Sequence, residues 1–502
     1  MDAGGDGADL GGGEGLGESG VEGGGFGQDC GVQVSAIGGG GVFVSLPDSA
    51  CFAVGPGAGG FEEVAVAAET GGVGALAAGF TPAGWGHVAA EAVAELVEFV
   101  QRVVIEWGDL VRDPRLMDGV LGDEPGIALV AVDQPPGSLP DGPGQIVRSE
   151  PMEFYLDPVK LIEVDAAATR VMYTTTNSAG ERIASTGTVL VSNKPWRGDG
   201  PRPLIGYAPG TQGLGDDCAP SKSLALGQQY EGPVMTTLLE QGYALAVPDY
   251  EGLGTPGLHT YMDRVATGNA TLDAMRAAQN LGAEGIDAEN PVALVGYSQG
   301  GGATAAASEL AGEYAPELDI VGASMGAPPA DLMELESLDG GNYIGFMLFA
   351  LAGQNAAFDL GVEDDLNESG RRAMEQVADM CTTEAIAAFA GTHSSSWTKT
   401  GETLAELMQR DGYREAIEAQ RLGTQAPDFP VFVQQGLTDD VIPFHVGRGL
   451  AEDYCDRGGT VLFHTLLTPT HIGGYIEAAP HISTFTAARL RGDQPLNSCW
   501  RL

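Results

Sequence analysis

Short apolar runs alternate with longer amphipathic segments from about residue 170 to the end of the chain. The predicted strands are RVMYTTT and GTVLVSN, joined by the hairpin loop SAGER, then PLIGYAPG, YALAVPDY, PVALVGYS, DIVGASMG, PVFVQQG and TVLFHTLL. Segments with helical spacing, such as ATLDAMRAAQNLGA, separate most of them. Because strands buried on both faces read as continuous apolar runs, the pattern predicts an α/β fold with a mostly parallel sheet.

The same pattern divides the chain into regions. The turn-rich stretch PPGSLPDGPG separates residues 1–133 from the strand-rich part. About a hundred residues of helical pattern without a good strand then interrupt the alternation, which is too long for a simple strand-to-helix connection. We therefore expect an α/β core over 134–330 and 426–502, with an inserted helical cap over 331–425.

The first region differs from the rest in composition. Residues 1–101 contain no Lys or Arg but fourteen Asp and Glu, and seventeen of the first forty residues are Gly. Such a segment buries too little apolar surface to offset its ordering entropy, so we expect about 1–80 to be disordered. Apolar residues recur at helical spacing over 88–107, which predicts one amphipathic helix there.

Charge and hydropathy limit the possible partners. The net charge of −45 argues against nucleic acid and anionic membrane surfaces, because phosphates would be repelled. The longest apolar run, YIGFMLFALAG at 343–353, is about half of the roughly 20 residues that span a bilayer, so no transmembrane segment is expected. We see no basic segment followed by an apolar core, so the sequence as written predicts no signal peptide.

Two G-x-S-x-G patterns compete for the role of a nucleophile elbow, a sharp strand-to-helix turn that exposes a serine. Ser298 lies in VALVGYSQGGG, after an apolar strand and before the helix candidate ATAAASELAGEY. Ser324 lies in GASMG, but Pro328 and Pro329 follow where a helix should run, and a residue before proline avoids the α region. We predict Ser298 as the nucleophile and Ser324 as a strand end.

A serine nucleophile needs a base and an orienting carboxylate, which in this architecture come later in the chain, the carboxylate first. In QQGLTDDVIP, after a predicted strand, we favour Asp439 as the carboxylate and keep Asp440 as the alternative. His471, in the loop TPTHIGG after the last strand, is the predicted base, with His445 as a competitor. His464 falls within a predicted strand, where we expect a packed or surface residue.

The oxyanion of an acyl-transfer reaction needs two preorganised N–H donors. One is expected from the amide of Gln299, the residue after the nucleophile. The Gly-rich segment GYAPGTQGLGDDCAPS follows a strand and is expected to supply the other from Gln212 or Gly213. The alternative is that this segment is an ordinary Gly-rich turn.

No motif calls for a metal or an organic cofactor. GLGTPG at 252–257 matches G-x-G-x-x-G, but Pro256 and the residues beyond it give no helix to hold a pyrophosphate. No P-loop, H-E-x-x-H or EF-hand pattern is present. The six cysteines form no C-x-x-C pair, and their wide spacing fits disulfides and buried thiols equally well.

Several segments between 134 and 502 resemble the secretory lipases of the fungal lipase A type, which also occur in actinobacteria. The resembling segments, in order, are SEPMEFYLDP, TGTVLV, YAPGTQGLGDDCAPS, PDYEGLG, LDAMRAAQ, GYSQGG, DDVIP and THIGGYIEA. The resemblance implies an α/β-hydrolase fold with a helical cap and hydrolysis of carboxylic esters of acylglycerols. It also implies that Ser298, Asp439 and His471 form the catalytic triad.

The same resemblance implies the disulfides Cys218–Cys381 and Cys455–Cys499 and a secreted protein, although residues 1–133 do not resemble an export signal. The inserted cap carries GNYIGFMLFALAG, in which Phe346 and Phe349 are candidates to line an acyl tunnel or lie at a lipid–water interface. The alternative is that these side chains only pack the cap against the core.

Four rival functions stay open at the level of sequence. A short-chain carboxylesterase or an acyltransferase would use the same three residues, and a peptidase on this fold is a further option. A non-catalytic binding module of hydrolase fold is the rival from another class. The complete order of serine, carboxylate and histidine argues against that module, since binding alone does not require all three.

Overall fold

A small antiparallel sheet is the first part of the chain that the structure describes. In this computed structural model the described residues are 134–502 and, before them, only four strands. The strands pair in chain order and are Gln33–Ile37 (β1), Gly41–Leu46 (β2), Ser49–Pro56 (β3) and Glu62–Ala67 (β4). They belong to the first of two compact units, Met1–Leu121 and Gly122–Leu502.

The expectation of disorder across about 1–80 does not extend to these four segments. Val, Ile and Phe favour extended backbone and are concentrated in these four segments. The composition of the whole Gly-rich region does not show this local enrichment. The helix predicted over 88–107 lies outside the described residues.

A nine-stranded sheet forms the centre of the second unit, with the order β13-β12-β11-β10-β8-β9-β7-β6-β5. Its strands are Ile146–Met152 (β5), Ala166–Thr176 (β6), Arg182–Ser192 (β7), Leu204–Ala208 (β8), Ala244–Pro248 (β9), Val292–Tyr297 (β10), Ile320–Gly326 (β11), Val431–Gly436 (β12) and Val461–Leu466 (β13). The pairs from β13 to β9 are parallel, and those from β9 through β7 and β6 to β5 are antiparallel. Every strand predicted from an apolar run is present.

From β8 onward, helices connect the strands. The α-helices of residues 134–502 are Pro220–Ala225 (α1), Gly232–Glu240 (α2), Arg264–Asn280 (α3), Gln299–Tyr314 (α4), Ile344–Phe358 (α5), Glu368–Val377 (α6), Thr382–Phe389 (α7), Leu404–Met408 (α8), Tyr413–Glu418 (α9), Phe444–Asp456 (α10) and His471–Leu490 (α11). Across these described residues, no helix is both long and apolar enough to span a membrane.

Both faces of the sheet are covered, as the apolar strands predict. Leu294 and Val295 are neighbours in β10 and belong to different clusters of buried side chains. The cluster of Leu294 includes Met275 of α3, whereas the cluster of Val295 includes Met235 of α2 and Ile482 of α11. Alternate side chains of one strand thus enter opposite layers, which confirms the predicted α/β architecture.

Residues 327–430 connect β11 to β12 with five helices (α5–α9) and short 3₁₀ turns, without a β-strand. One disulfide, Cys218–Cys381, joins this insertion to the loop that follows β8. The second, Cys455–Cys499, joins α10 to the C-terminal segment. The structure therefore contains both pairs that the family resemblance implies, and the insertion is tied directly to the loop expected to bind an oxyanion.

Candidate active site

The candidate nucleophile lies at the turn between β10 and α4. β10 ends at Tyr297 and α4 begins at Gln299, so Ser298 alone makes the turn. Its φ of 59° and ψ of −124° are a strained backbone conformation for a residue other than glycine. The amide of Ser298 donates to the carbonyl of Gly326, 2.9 Å away, and so holds the turn against the end of β11.

The glycines around Ser298 are required by close backbone contacts. A Cβ on Gly296 would lie 2.1 Å from the carbonyl oxygen of Gly300. A Cβ on Gly300 would lie 2.0 Å from the carbonyl oxygen of Ala208, at the end of β8. Any side chain at these positions would push the serine turn away from the loop after β8, so the pattern G-x-S-x-G here has a steric cause.

The carboxylate of Asp439 and the imidazole of His471 meet at the carboxyl edge of the sheet. Nδ1 of His471 lies 2.9 Å from Oδ2 and 3.0 Å from Oδ1 of Asp439, whose side chain is fully buried. Oδ1 of Asp439 also accepts the amide N–H groups of Val441 and Ile442, each at 2.9 Å. An ionised carboxylate only accepts, so Nδ1–H is the donor in this contact, and in that tautomer Nε2 is left as the acceptor.

The Nε2 atom of His471 is buried and has no hydrogen-bond partner among the described residues. The ring lies beside Tyr297, the neighbour of Ser298, with ring centroids 5.1 Å apart. The Tyr297 hydroxyl donates to the carbonyl oxygen of His471 at 2.9 Å. The residue before the candidate nucleophile thus directly supports the candidate base.

Asp440, the alternative carboxylate, contacts the backbone of His471 and not its ring. Its Oδ1 accepts the amide N–H of His471 at 2.8 Å. The two adjacent aspartates therefore have different partners, since Asp439 faces the imidazole and Asp440 holds the first residue of α11. Thr470, the residue immediately before α11, has a φ of 69° and is a second strained position beside the site.

The Gly-rich loop after β8 lies directly over the serine turn. A Cβ on Gly210 would lie 3.3 Å from the carbonyl oxygen of Tyr297. Gln212 is buried, and its Nε2 donates to the carbonyl of Gly210 at 3.0 Å. Gly213 has a φ of 128°, and a Cβ there would lie 2.3 Å from the carbonyl oxygen of Met380 in the insertion. Gln212 and Gly213 thus belong to a loop that begins against the serine turn and continues against the insertion.

Glu231, the residue before α2, is a buried acid in contact with this loop that the sequence analysis did not identify. It is 1% exposed, and its Oε2 accepts the amide N–H of Gly210 at 2.9 Å. Oε1 accepts the Tyr207 hydroxyl at 3.3 Å. Desolvation raises the pKa of Glu231 to about 8, although the hydrogen bonds from Gly210 and Tyr207 lower it. A lone Glu in QQYEGP gives no sign of this burial.

His259 is a second residue of the site that was missed, because it precedes the carboxylate in the chain. Its Nε2 lies 3.0 Å from Nε2 of Gln299, and its Nδ1 lies 2.8 Å from the carbonyl oxygen of Glu251. The ring stacks on Tyr250 with centroids 5.8 Å apart. Burial lowers the pKa of His259 to about 4, so the ring is neutral and orients the Gln299 side chain without adding charge.

Phe346 and Phe349 of α5 pack against the core. Phe349 is fully buried, and its ring lies 5.8 Å from that of Tyr261. Phe346 is partly buried and stacks on Phe349 with centroids 6.0 Å apart. The hydroxyl of Tyr261 lies 2.7 Å from the hydroxyl of Thr211 in the loop after β8. These contacts are what packing alone would produce, so an acyl-binding role stays a prediction.

The residues that the sequence analysis set aside lie elsewhere. Ser324 is buried within β11, and the chain continues through Ala327 without a helix, which confirms it as a strand end. His445 is exposed in the first turn of α10, and its Nε2 lies 3.0 Å from Oε2 of Glu334. A cavity of about 510 Å³ lies beside Glu251 and includes none of the three triad candidates.

The fold and this sheet edge define an α/β-hydrolase. Among solved structures, Candida antarctica lipase A in its closed state is similar, with a TM-score of 0.62 and 25% identity, covering 70% of this chain and 84% of that chain. The rice cell wall degrading esterase LipA from Xanthomonas oryzae matches with a TM-score of 0.57 at 19% identity, covering 69% and 98%. The second likeness supports the fold alone.

Sequence comparison identifies the family. The family model for secretory lipase matches residues 219–498. A Mycobacterium tuberculosis (strain CDC 1551 / Oshkosh) protein named as a probable inactive lipase is 30% identical over 373 residues, 71% of this chain and 82% of that protein. A secreted triacylglycerol lipase of Malassezia globosa is 28% identical over 384 residues, 73% and 79% of the two. The chain belongs to the secretory lipase family and is a hydrolase of the lipase type.

Membership of a secretory family and the two disulfides support an extracellular location, because disulfides persist in oxidising compartments.

Proposed function

We propose that Ser298, His471 and Asp439 form a catalytic triad that hydrolyses carboxylic esters of acylglycerols through an acyl-enzyme. The observation that carries the proposal is the state of the His471 ring. Asp439 holds Nδ1 at 2.9 Å, Nε2 is buried without a hydrogen-bond partner among residues 134–502, and the ring lies beside the residue that precedes Ser298. An imidazole held in this tautomer is prepared to take a proton from a serine hydroxyl.

In the first step, Oγ of Ser298 attacks the ester carbonyl carbon as its proton passes to Nε2 of His471. The carbonyl oxygen becomes an oxyanion, and the amides of Gln299 and of Gln212 or Gly213 donate to it. Loss of one such donor typically costs about 3 kcal/mol of transition-state stabilisation. The imidazolium gives its proton to the leaving alcohol as the carbon–oxygen bond breaks, which leaves the acyl group on Ser298.

In the second step, Nε2 of His471 takes a proton from water, and the resulting hydroxide equivalent attacks the acyl-enzyme. The second tetrahedral intermediate uses the same donors, and its collapse returns the proton to Oγ of Ser298 and releases the fatty acid. Asp439 stabilises the imidazolium twice in the cycle, because its buried carboxylate stays fixed by the amides of Val441 and Ile442. The steps require no metal or organic cofactor.

The insertion over 331–425 is proposed as a cap over the site. Leu332 and Leu422 from its two ends line a cavity of only about 20 Å³ beside Gln299, which is room for about one water. This cavity is too small for an acyl chain, so the proposal expects the cap to move when a substrate is taken from a lipid–water interface. The Malassezia relative named as a triacylglycerol lipase supports acylglycerols as the substrate class.

The decisive experiment is covalent labelling with a fluorophosphonate, followed by measurement of ester hydrolysis. The wild-type chain should take up one label at Ser298 and hydrolyse p-nitrophenyl esters, and Ser298→Ala should lose both. Ser324→Ala, a serine of the other G-x-S-x-G pattern, is the matched control and should keep both. A wild-type chain that takes up no label would support a non-catalytic protein, as the name of the Mycobacterium relative suggests for that protein.

Substrate range separates lipase from short-chain esterase. A lipase should cleave p-nitrophenyl palmitate and emulsified triacylglycerol, whereas an esterase would prefer the butyrate. Phe346→Ser, which changes the partly exposed ring of α5, should reduce the preference for the long chain if this helix borders the acyl site. An unchanged preference in both Phe346→Ser and Phe349→Ser leaves packing as their only role. Ester products formed with added alcohol would reveal acyl transfer.

We also propose that the mature protein is secreted. N-terminal sequencing of the form in culture supernatant would test this and locate the start of that form. Its retention inside cells would refute secretion.

A further inference from the structure

A second cluster of chemically active side chains lies outside the candidate triad. His464 belongs to β13, the edge strand of the sheet, and Glu477 and His481 belong to α11. An imidazole nitrogen from each histidine and a carboxylate oxygen from Glu477 all lie within 4.8 Å of one another. Within the described part of the chain, this is the one group of three or more His, Cys, Asp or Glu residues that could hold a metal ion.

The local structure brings the three side chains together. Glu477 and His481 are four residues apart and therefore share one face of α11. His464 lies on the face of β13 that α11 covers, and its ring is 4.5 Å from the ring of His481. Phe432 of β12 lies beside both elements, 6.4 Å from His464 and 5.2 Å from Phe485. The strand and the helix thus hold the cluster between them, half-buried but open to solvent.

The side chain of Glu477 is already oriented by the backbone. Its Oε2 accepts the amide N–H groups of Leu467 and Thr468 at 2.8 Å and 2.7 Å. Such outer hydrogen bonds typically fix a metal-binding carboxylate in place, and Oε1 is left to act as the ligand. Leu467 and Thr468 begin the loop that leads to His471, so the cluster is linked to the position of the candidate base.

We propose that His464, Glu477 and His481 bind a divalent transition-metal ion, with Zn²⁺ the best match, and that the ion fastens α11 to β13. Two imidazoles and one carboxylate are a ligand set that Zn²⁺ accepts, with water in the fourth position. Tetrahedral ligands at Zn²⁺ distances lie about 3.3 Å apart, which side-chain rotations from the present separation can reach. The positive charge of Arg501 near His464 disfavours a bound cation, whereas the net charge of −45 of the chain favours one.

Isothermal titration of the full chain with ZnCl₂ at pH 7.5, in a non-chelating buffer, tests this site. Cys30→Ser and Cys51→Ser are introduced first, so that these two thiols contribute no ligands. We expect one ion per chain. His464→Ala and His481→Ala should each weaken binding by about 100-fold or more, because loss of a residue that only hydrogen-bonds to a metal ligand already weakens binding by about 10–100-fold. Unchanged affinity in both histidine variants would overturn the proposal.

Two further variants identify the source of any binding. His445→Ala removes an exposed histidine that pairs with Glu334, and it should leave the affinity unchanged. His471→Ala removes the imidazole of the candidate triad, and it should also keep the site. Binding lost in His471→Ala but kept in His481→Ala would assign the ion to the candidate triad and refute the second site.

Thermal unfolding gives a readout that is independent of ester hydrolysis. Zn²⁺ should raise the melting temperature of the chain with Cys30→Ser and Cys51→Ser and of His445→Ala, because an ion bound only by the folded state stabilises it. The rise should be absent in His481→Ala, whose circular dichroism spectrum without Zn²⁺ should match that of its parent. An equal rise in His481→Ala would contradict the site.

Discussion

The buried carboxyl of Glu231 leads to a stability prediction that depends on pH. Burial raises its pKa in the folded protein from 4.5 to about 8. Glu231→Gln keeps an oxygen that can accept the amide N–H of Gly210, and it fills nearly the same volume, but it cannot ionise. The variant therefore isolates the cost of charging this buried group.

The sign follows from the two pKa values. Between pH 4.5 and 8 the folded protein keeps a proton on Glu231 that the unfolded chain has released. The stabilising contribution is complete below about pH 4.5 and is lost as the pH rises through the folded pKa of about 8. At about 1.36 kcal/mol per pH unit, the loss between pH 5 and pH 7.5 is about 3 kcal/mol. Glu231→Gln cannot ionise at this position, so its free energy of unfolding does not include this loss.

Urea unfolding of the wild-type and Glu231→Gln chains at pH 5 and pH 7.5 measures the difference. The difference in free energy of unfolding between Glu231→Gln and wild type should increase by about 3 kcal/mol in favour of the variant from pH 5 to pH 7.5. For a unit of this size, that corresponds to roughly 4 °C in melting temperature. Glu289→Gln changes an exposed carboxyl and should follow the wild type at both pH values. If Glu231→Gln also follows the wild type, Glu231 is ionised in the folded protein and the reasoning from burial is wrong.

Two further predictions test the site and its connection to the insertion. Asp439→Asn should lower kcat by about 10⁴-fold, because the imidazole of His471 loses the acceptor that fixes its tautomer. Asp440→Asn should lower kcat less than about tenfold, because its amide oxygen can still accept the backbone N–H of His471. Equal losses of p-nitrophenyl butyrate hydrolysis in the two variants would contradict these separate roles. Replacing Cys218 and Cys381 together with Ser should lower the free energy of unfolding by about 5 kcal/mol, from the 163-residue separation that the bond closes, and an unchanged urea midpoint would refute this.

Local pattern was sufficient for most of the core. Strands such as Val292–Tyr297 are buried on both faces, so the apolar run and its end could be read from the sequence. Ile146–Met152 was missed because it contains Arg148, Glu150 and Pro151. It lies at the edge of the sheet, where a missing N–H and charged side chains are tolerated, and no local signal distinguishes such a strand from a loop.

The strand order and the supporting residues of the site could not be predicted in the same way. β8 lies between β9 and β10 because of a crossover, which depends on the packing of the whole sheet. Glu231 and His259 reach the site from loops, and their importance comes from burial and from contacts with Gly210 and Gln299. Residue type and chain order identify groups that react, but not groups that hold the reacting groups in place.

Family membership alone does not decide between an active and an inactive lipase, so the energetic cost of the Asp439–His471 pair is informative. The side chain of Asp439 is fully buried, and Nε2 of His471 is a buried polar atom without a hydrogen-bond partner in the described part of the chain. An unpaired buried polar atom costs about 1–3 kcal/mol, and buried ionic groups can often be replaced by apolar residues with a gain in stability. A chain that only binds a ligand has no physical reason to carry this cost beside a strained Ser298. The combined cost favours a retained catalytic function.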